Sequence, residues 1–282
     1  MNPARAAFDH VRRLVNGDRL RGEAGWRAND SFVHHAPSPQ QAVDIFAGDW
    51  ASKLPIDGVT SGTAGLFDDA RIRWLIERLG SVEGWSVLEL GPLEGGHTAM
   101  LGEAGVASVV AIEANKSAYL RCLVVKALLK LDHAHFELGD FDAFLAQTDR
   151  RFDLLMASGI LYHMADPLQT LLDMVKLSDR IFVWSHFVDR AAMPVGDRRW
   201  RPMTGEVTKR TIGDDTMTYH VRSYRGSEGK SEFCGGTMSR SIWLDQDEVL
   251  DFFRRRGFAV ETAFAEPDAV AGPSMCFLAR RS

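Results

Sequence analysis

The feature that most constrains this chain is an alternation of helical and β-rich segments between about residues 68 and 186. Asp68 and Asp69 stand where a helix N-cap belongs, apolar residues follow at helical spacing, and Gly80 closes the segment. Five β-rich runs then alternate with helical patterns, at 86–90, 108–113, 135–138, 152–158 and 180–185. Strands that alternate with helices form βαβ units, and right-handed crossovers predict a parallel sheet with helices on both faces.

The alternation stops after residue 186 and ordered patterns return near Asp245. A structureless loop of that length is improbable inside a compact domain, so we predict a cap or a β-rich insertion beside the active site. A capped helix begins at Asp245, and two further β-rich runs follow with a Pro/Gly-containing turn between them. These two runs predict an antiparallel hairpin at the end of the sheet.

We therefore divide the chain into three parts. Residues 1–67 form an N-terminal helical segment with one predicted helix at 3–20, residues 68–186 and 244–282 form the α/β domain, and residues 187–243 form the insertion.

Composition narrows the functional class. The 282 residues carry 33 Lys plus Arg against 38 Asp plus Glu, and the net charge of -5 argues against a dedicated nucleic-acid binder. Cys122, Cys234 and Cys276 are too few and too scattered for a disulfide framework or a zinc site, and we expect no catalytic metal. The sequence shows no signal peptide and no membrane span, so we expect a cytoplasmic protein.

A glycine-rich turn follows the first predicted strand, in the sequence LELGPLEGG at 88–96. Gly91 suits a sharp turn, and Gly95 permits close approach of a ligand to the backbone. The spacing departs from the dinucleotide fingerprint, because Leu93 stands where a glycine would relieve contact with a pyrophosphate. Glu94 would bring a carboxylate to the phosphates, so both residues argue against NAD or ATP.

Acidic residues stand at the ends of three successive predicted strands. Glu113 follows the turn at the distance of a ribose-binding acid, and Asp140 with Phe141 could meet an adenine. Glu89 would hold a cationic amino-acid group, directly or through the backbone and water. Three acids suit a positively charged nucleoside, and S-adenosyl-L-methionine carries a sulfonium and an ammonium. Taken singly, such acids are often only helix caps.

The chain resembles the class I S-adenosylmethionine-dependent methyltransferases over 68–186 and the terminal hairpin. The motifs are VLELG, VVAIEAN, LGDF and FDLLMASGILYHMADP. The resemblance implies a Rossmann-like, seven-stranded, mostly parallel sheet with an antiparallel C-terminal strand. It also implies S-adenosyl-L-methionine as cofactor and a cofactor site that includes Glu89, Gly91, Leu93, Gly95, Glu113, Asn115, Asp140 and Phe141. Leu93 departs from the family's pattern, which usually has glycine there.

A narrower resemblance lies in SGILYHMADP at 158–167, which is similar to a segment of the enzymes that carboxymethylate the wobble uridine of tRNA. It implies that Ser158 and Tyr162 flank the cofactor, and His97 also has a counterpart in those enzymes. The stretch TAGLFDDARIRW departs from their Trp- and Lys-containing segment.

Methyl transfer depends mainly on positioning, and a base is needed only if the nucleophile must lose a proton. The fourth strand should end at the transferred group, so Tyr162 and His163 are the first catalytic candidates. His186 is a second candidate base, which Asp189 could orient. The run DRRWR at 197–201 could clamp an anionic substrate or form a solvated loop.

These observations predict a methyltransferase that acts on a small polar or anionic metabolite, with the N-terminal segment and the insertion as its lid. A homodimer is compatible with the sequence. Three alternatives stay open: a tRNA-modifying enzyme, an enzyme that cyclises S-adenosylmethionine, and a non-catalytic binding module.

Overall fold

The computed structural model describes residues 32–226 and 235–281. The helix predicted at 3–20 and Cys234 lie outside the described residues.

A seven-stranded sheet forms the centre of the fold. Its strands are β1 (Ser86–Leu90), β2 (Ser108–Glu113), β3 (Ala134–Leu138), β4 (Leu154–Ser158), β5 (Arg180–His186), β9 (Phe258–Glu266) and β10 (Ser274–Arg281). They lie in the order β3-β2-β1-β4-β5-β10-β9; strands β1 to β5 are parallel, and β10 runs antiparallel to both β5 and β9. The predicted mostly parallel sheet with an antiparallel C-terminal strand is confirmed.

Helices cover both faces of this sheet because its strands are apolar on both sides. Neighbouring residues Val87 and Leu88 are both fully buried, and they belong to two different hydrophobic clusters. The helices are α1 (Pro39–Asp44), α2 (Ala70–Leu79), α3 (Gly96–Glu103), α4 (Lys116–Leu129), α5 (Phe141–Gln147), α6 (Pro167–Leu177) and α7 (Gln246–Arg255). Helices α2, α3 and α4 pack in one cluster, and α5, α6 and α7 in the other.

The insertion contains a second sheet, of three antiparallel strands: β6 (Met203–Ile212), β7 (Asp215–Ser223) and β8 (Arg240–Leu244). Its apolar face, including Val221 and Ile242, joins the hydrophobic cluster of α5, α6 and α7. The Ile242 amide also donates to the Met164 carbonyl oxygen at 2.9 Å, so β8 is fastened beside the end of β4. The insertion thus contains three strands, and it reaches the carboxyl edge of the main sheet.

Within residues 32–226 and 235–281, every helix is too short or too polar to cross a lipid bilayer.

Candidate functional site

A cavity of about 360 Å³ opens at the carboxyl ends of the parallel strands, and we call it the sheet-edge cavity. Its wall is built from the loop after β1, the start of α3, the ends of β2, β3 and β4, Trp184 of β5, and residues 235–237 of the insertion. Ligands of open parallel sheets bind at this edge, where the strand order reverses. Here the reversal lies at β1, between β2 and β4.

The glycine-rich turn bends sharply beneath this cavity. Gly91 and Leu93 line it with positive φ angles of 66° and 56°, the second of which is unusual for a residue with a side chain. Gly95 also has a positive φ of 77°, but a Cβ there would lie 2.8 Å from the Phe136 ring. Gly95 is not part of the wall, so packing inside the protein, rather than approach of a ligand, explains this glycine.

The Glu94 side chain points away from the cavity, which corrects the expectation from the sequence. Its carboxylate is fully buried and accepts hydrogen bonds from the backbone amides of Ala51 and Ser52 at 2.9 and 2.8 Å. Arg121 Nε lies 3.1 Å from the same carboxylate. Glu94 therefore connects the N-terminal segment to the loop after β1. The prediction that its carboxylate would lie beside the phosphates of a bound nucleotide is wrong, because Glu94 does not line the cavity.

Glu113 lies at the end of β2, in the cavity wall. Its carboxylate accepts hydrogen bonds from the backbone amides of Leu93 and Asn115, at 3.1 and 2.8 Å. Burial raises the pKa of Glu113, and these hydrogen bonds oppose that effect. Each carboxylate oxygen has a further lone pair, so Glu113 can still accept hydrogen bonds from a ligand. Asn115 also lines the cavity, and its side chain caps α4.

Asp140 and Phe141 lie in the wall at the end of β3. Asp140 caps α5 by accepting a hydrogen bond from the Asp142 amide at 2.9 Å. Asp140 is thus a helix cap, and this role leaves its second carboxylate oxygen for a ligand.

Glu89 lies beneath the cavity rather than in its wall. Its side chain is 3 % exposed and accepts a 2.5 Å hydrogen bond from the Thr98 hydroxyl. Burial raises the pKa of Glu89. A direct contact between Glu89 and the amino-acid end of a ligand does not fit this placement.

Ser158, Tyr162 and His163 lie together in the wall at the end of β4. The His163 Nδ1 is 2.8 Å from the Tyr224 hydroxyl of the insertion, and its ring lies 4.1 Å from that of Tyr162. Burial, together with the nearby Arg222 guanidinium, lowers the pKa of His163 to about 3. His163 is therefore neutral at neutral pH and suits hydrogen bonding better than proton storage.

His186 lies behind Tyr162, outside the cavity wall. Its Nδ1 donates to the Gly272 carbonyl oxygen at 2.9 Å, and its ring stacks on Trp243. Burial lowers the pKa of His186. Asp189 accepts hydrogen bonds from the amides of Ala191 and Ala192, which makes it a turn cap rather than a partner of His186.

In the run at 197–201, the Arg199 guanidinium is held by hydrogen bonds within the protein. Arg199 donates to Asp197 at 2.7 Å and to the Pro267 carbonyl oxygen at 2.5 Å. These residues border a separate surface depression and not the sheet-edge cavity. The Arg199 guanidinium is thus not placed to clamp a ligand in the cavity.

Sequence reasoning missed Arg71, Trp184 and the stretch 235–237, all of which line the cavity. Arg71 belongs to the stretch TAGLFDDARIRW, which precedes the glycine-rich turn. The sequence analysis noted this stretch only because it differs from the Trp- and Lys-containing segment of the tRNA-modifying enzymes. Trp184 lies two residues before the end of β5, and the β-rich pattern of this strand does not show which of its side chains face a ligand site. Among the residues that the structure describes, no three His, Cys, Asp or Glu side chains are grouped to hold a metal ion.

Comparison with known proteins identifies solved structures with a similar fold. No protein-family model matches the chain, and no curated protein matches it in sequence. The N-terminal domain of EvdMO1, crystallised in the presence of SAH and D-fucose, is 20% identical with a TM-score of 0.60, covering 86% of this chain and 95% of that one.

Two further solved structures are similar. The magnesium protoporphyrin IX methyltransferase of Synechocystis PCC 6803 with bound SAH is 14% identical with a TM-score of 0.52, covering 98% and 95% of the two chains. An S-adenosylmethionine-dependent methyltransferase of Mesorhizobium loti is 17% identical with a TM-score of 0.51, covering 77% and 100%. The chain thus has the class I methyltransferase fold.

Proposed function

We propose that this protein is an S-adenosyl-L-methionine-dependent methyltransferase that acts on a small polar or anionic molecule. One observation carries the proposal: Gly91, Glu113 and Asp140, at the ends of three adjacent strands, line one cavity in a fold shared with such enzymes.

The residues of the cavity fit this cofactor chemically. Glu113 is held in place by two backbone amides, with lone pairs left for ribose hydroxyls. Asp140 and Phe141 offer a carboxylate for an amino group and a flat ring for a base. The acids also complement the sulfonium and ammonium charges of the cofactor, whereas NAD and ATP carry negatively charged phosphates.

The mechanism that follows is one of positioning. When bound, S-adenosylmethionine supplies a methyl group that is already activated by its sulfonium. Tyr162 and Trp184 line the cavity beyond the end of β4. Their rings pack edge to face, with 5.9 Å between the ring centres. His163 has its Nδ1 committed to Tyr224, so Nε2 is the ring nitrogen that can hold a polar group of the acceptor. Holding the acceptor in line and excluding water contribute most to such a reaction.

A small polar or anionic acceptor is supported by the surroundings of His163. The Arg222 guanidinium lies 5.5 Å from the centres of the Tyr224 and Trp243 rings, and its Nε has no hydrogen-bond partner among the described residues. A buried guanidinium nitrogen without a bonded partner favours a nearby ligand with anionic or polar oxygen atoms, although Arg222 itself does not line the sheet-edge cavity. D-fucose, present with the EvdMO1 domain, is such a small polar molecule.

Replacement of Glu113 by alanine tests the cofactor site. We expect calorimetry to show micromolar binding of S-adenosylmethionine to the wild-type protein and ~10–100-fold weaker binding to Glu113→Ala, because hydrogen bonds to a charged group are lost. Glu137→Ala, which removes an exposed carboxylate from neighbouring β3, should bind as the wild type does. The absence of binding to the wild-type protein would contradict the proposal.

Three assays on the same purified protein distinguish the alternative functions. A tRNA-modifying enzyme should retain tRNA in a salt-dependent manner. A cyclising enzyme should convert S-adenosylmethionine without added acceptor, which mass spectrometry of the products detects. A binding module should bind the cofactor but transfer no labelled methyl group to any fraction of small metabolites.

A further inference from the structure

One face of the three-stranded sheet carries a group of buried polar side chains. Arg222 of β7 lies directly opposite Ser241 of β8, and Trp243 stands two residues further along β8. Side chains alternate along a strand, so these three share one face. Arg222 Nε, Ser241 Oγ and Trp243 Nε1 are buried, and none has a hydrogen-bond partner among the described residues. Each of these atoms can donate a hydrogen bond, so we call the three side chains the donor face.

The donor face is turned toward the carboxyl edge of the main sheet. The Trp243 ring stacks on His186 of β5, with 5.3 Å between the ring centres, and packs edge to face on Tyr162 at 6.3 Å. Tyr162 lines the sheet-edge cavity. The donor face therefore lies directly behind this part of the wall, beside the space beyond the end of β4.

The surroundings of Arg222 are aromatic. Its guanidinium carbon lies 5.5 Å from the centres of the Tyr224 and Trp243 rings. Burial lowers the pKa of Arg222, and the groups that oppose this effect are Tyr224 and Tyr162 rather than carboxylates. Burying a cation is costly unless an anion pairs with it. Arg222 is only half-buried, so a small anion can approach its guanidinium from solvent and supply that pairing.

Trp243 is fixed by its packing. The side chain is 2% exposed, and a Cβ at Gly272 would lie only 2.4 Å from its ring. A buried indole N–H normally finds a hydrogen-bond partner, and buried polar atoms in native proteins rarely lack one. The donors of Arg222, Ser241 and Trp243 thus favour one shared acceptor of hydrogen bonds.

We propose that the donor face binds a carboxylate group of the methyl acceptor. Arg222 supplies the charge and the planar fork of donors, and Ser241 and Trp243 each donate one further hydrogen bond. One guanidinium with two neutral donors balances a single negative charge. The inference rests on the proposed function and deepens it, because it makes the acceptor a small carboxylic acid. Its carboxylate is held at the insertion while its nucleophilic atom lies beyond the end of β4.

Formate tests the site without cofactor or acceptor. The indole N–H signal of Trp243 in isotope-labelled protein is assigned by its loss in Trp243→Phe. We expect it to shift saturably as formate is added, with a Kd of ~1–10 mM, because so few atoms cannot bind much more tightly. Neutral formamide should give no saturable shift.

Three variants assign the binding to the donor face. Arg222→Met should weaken formate binding by at least ~10-fold, because the charged partner is lost, and Ser241→Ala by ~3–10-fold, because one hydrogen bond is lost. Arg240→Met is the matched control, since Arg240 lies on the same strand, is exposed and pairs with Glu206. It should bind formate as the wild type does. If Arg222→Met does not fold by circular dichroism, Ser241→Ala decides.

A metabolite extract, divided on an anion exchanger before the reaction, tests the link to the acceptor. Labelled methyl groups should be transferred to the anionic fraction, and the transfer should fall at least ~10-fold in Arg222→Met but not in Arg240→Met. Transfer only to the neutral fraction would overturn the assignment to the acceptor. A Trp243 signal that does not shift, that shifts equally with formamide, or that responds more tightly to inorganic phosphate would overturn the carboxylate site. Failure of the wild-type protein to bind S-adenosylmethionine would instead overturn the proposed function and leave the formate result standing.

Discussion

His163 lies between the Tyr162 ring and the Tyr224 hydroxyl, and these surroundings set its protonation state. A histidine in water has a pKa near 6.5, whereas burial and then the Arg222 charge lower the pKa of His163 to about 3. The residue type alone predicted that His163 could act as a base. The neighbours that alter its pKa and its hydrogen bonding, Arg222 of β7 and Tyr224 just after β7, lie some sixty positions away in the sequence. A local sequence pattern does not predict such long-range contacts.

The lowered pKa of His163 has a consequence for stability. Between pH 6.5 and about 3 the unfolded chain binds a proton at His163 that the folded chain does not, so stability falls as the pH drops through this window. We expect urea unfolding to show a smaller loss of stability between pH 7.5 and pH 5.5 in His163→Gln than in the wild type. His135→Gln, at an exposed position in β3, should follow the wild type. Equal pH dependence in all three proteins would show that His163 is not held neutral by the fold.

At the scale of elements, local patterns predicted the sheet well. The predicted strands at 86–90 and 108–113 match β1 and β2, and the helix begun by Asp69 ends at Gly80. These elements follow from capping residues and from apolar periodicity, which act within a few residues. Capping residues and apolar periodicity do not predict which way a side chain points within a loop. Glu94 and Leu93 are neighbours in one turn, yet only Leu93 faces the cavity.

Glu94 connects two elements that are distant in sequence, and its replacement should loosen the connection. Glu94→Gln keeps the shape of the side chain but leaves Arg121 facing a neutral group and removes one of two equivalent acceptors for Ala51 and Ser52. Breaking a buried ion pair costs ~3–5 kcal/mol, so we expect a loss of that order in the free energy of unfolding. Chemical denaturation measures it, with Glu83→Gln on the exposed surface as the control. A loss below about 1 kcal/mol would mean that the chain around Ala51 and Ser52 is held by other contacts.

At the scale of the whole molecule, the insertion shares a hydrophobic core with the main sheet. Met217, Tyr219, Val221 and Ile242 pack in the same cluster as α6 and α7. Tyr219 also donates to Asp166 at 2.5 Å, next to the first turn of α6, and Asp166 pairs with Arg210 of β6. The three-stranded sheet is therefore packed on the main sheet through a common core, whereas its sequence, rich in Arg, Gly, Thr and Ser, predicted a cap or a β-rich insertion without showing this shared core.

A shared core predicts that the insertion and the main sheet unfold together. Ile242→Ala removes buried apolar volume on β8, and we expect it to lower the free energy of unfolding by ~2–4 kcal/mol. Because Ile242 lies in the common cluster, hydrogen exchange should accelerate by a similar factor in β7 and in β5. Val207→Ala on β6, at a position that is 50% exposed, should change neither measurement appreciably. Faster exchange confined to β6, β7 and β8 would instead show that the insertion opens alone, as a lid over the end of β4.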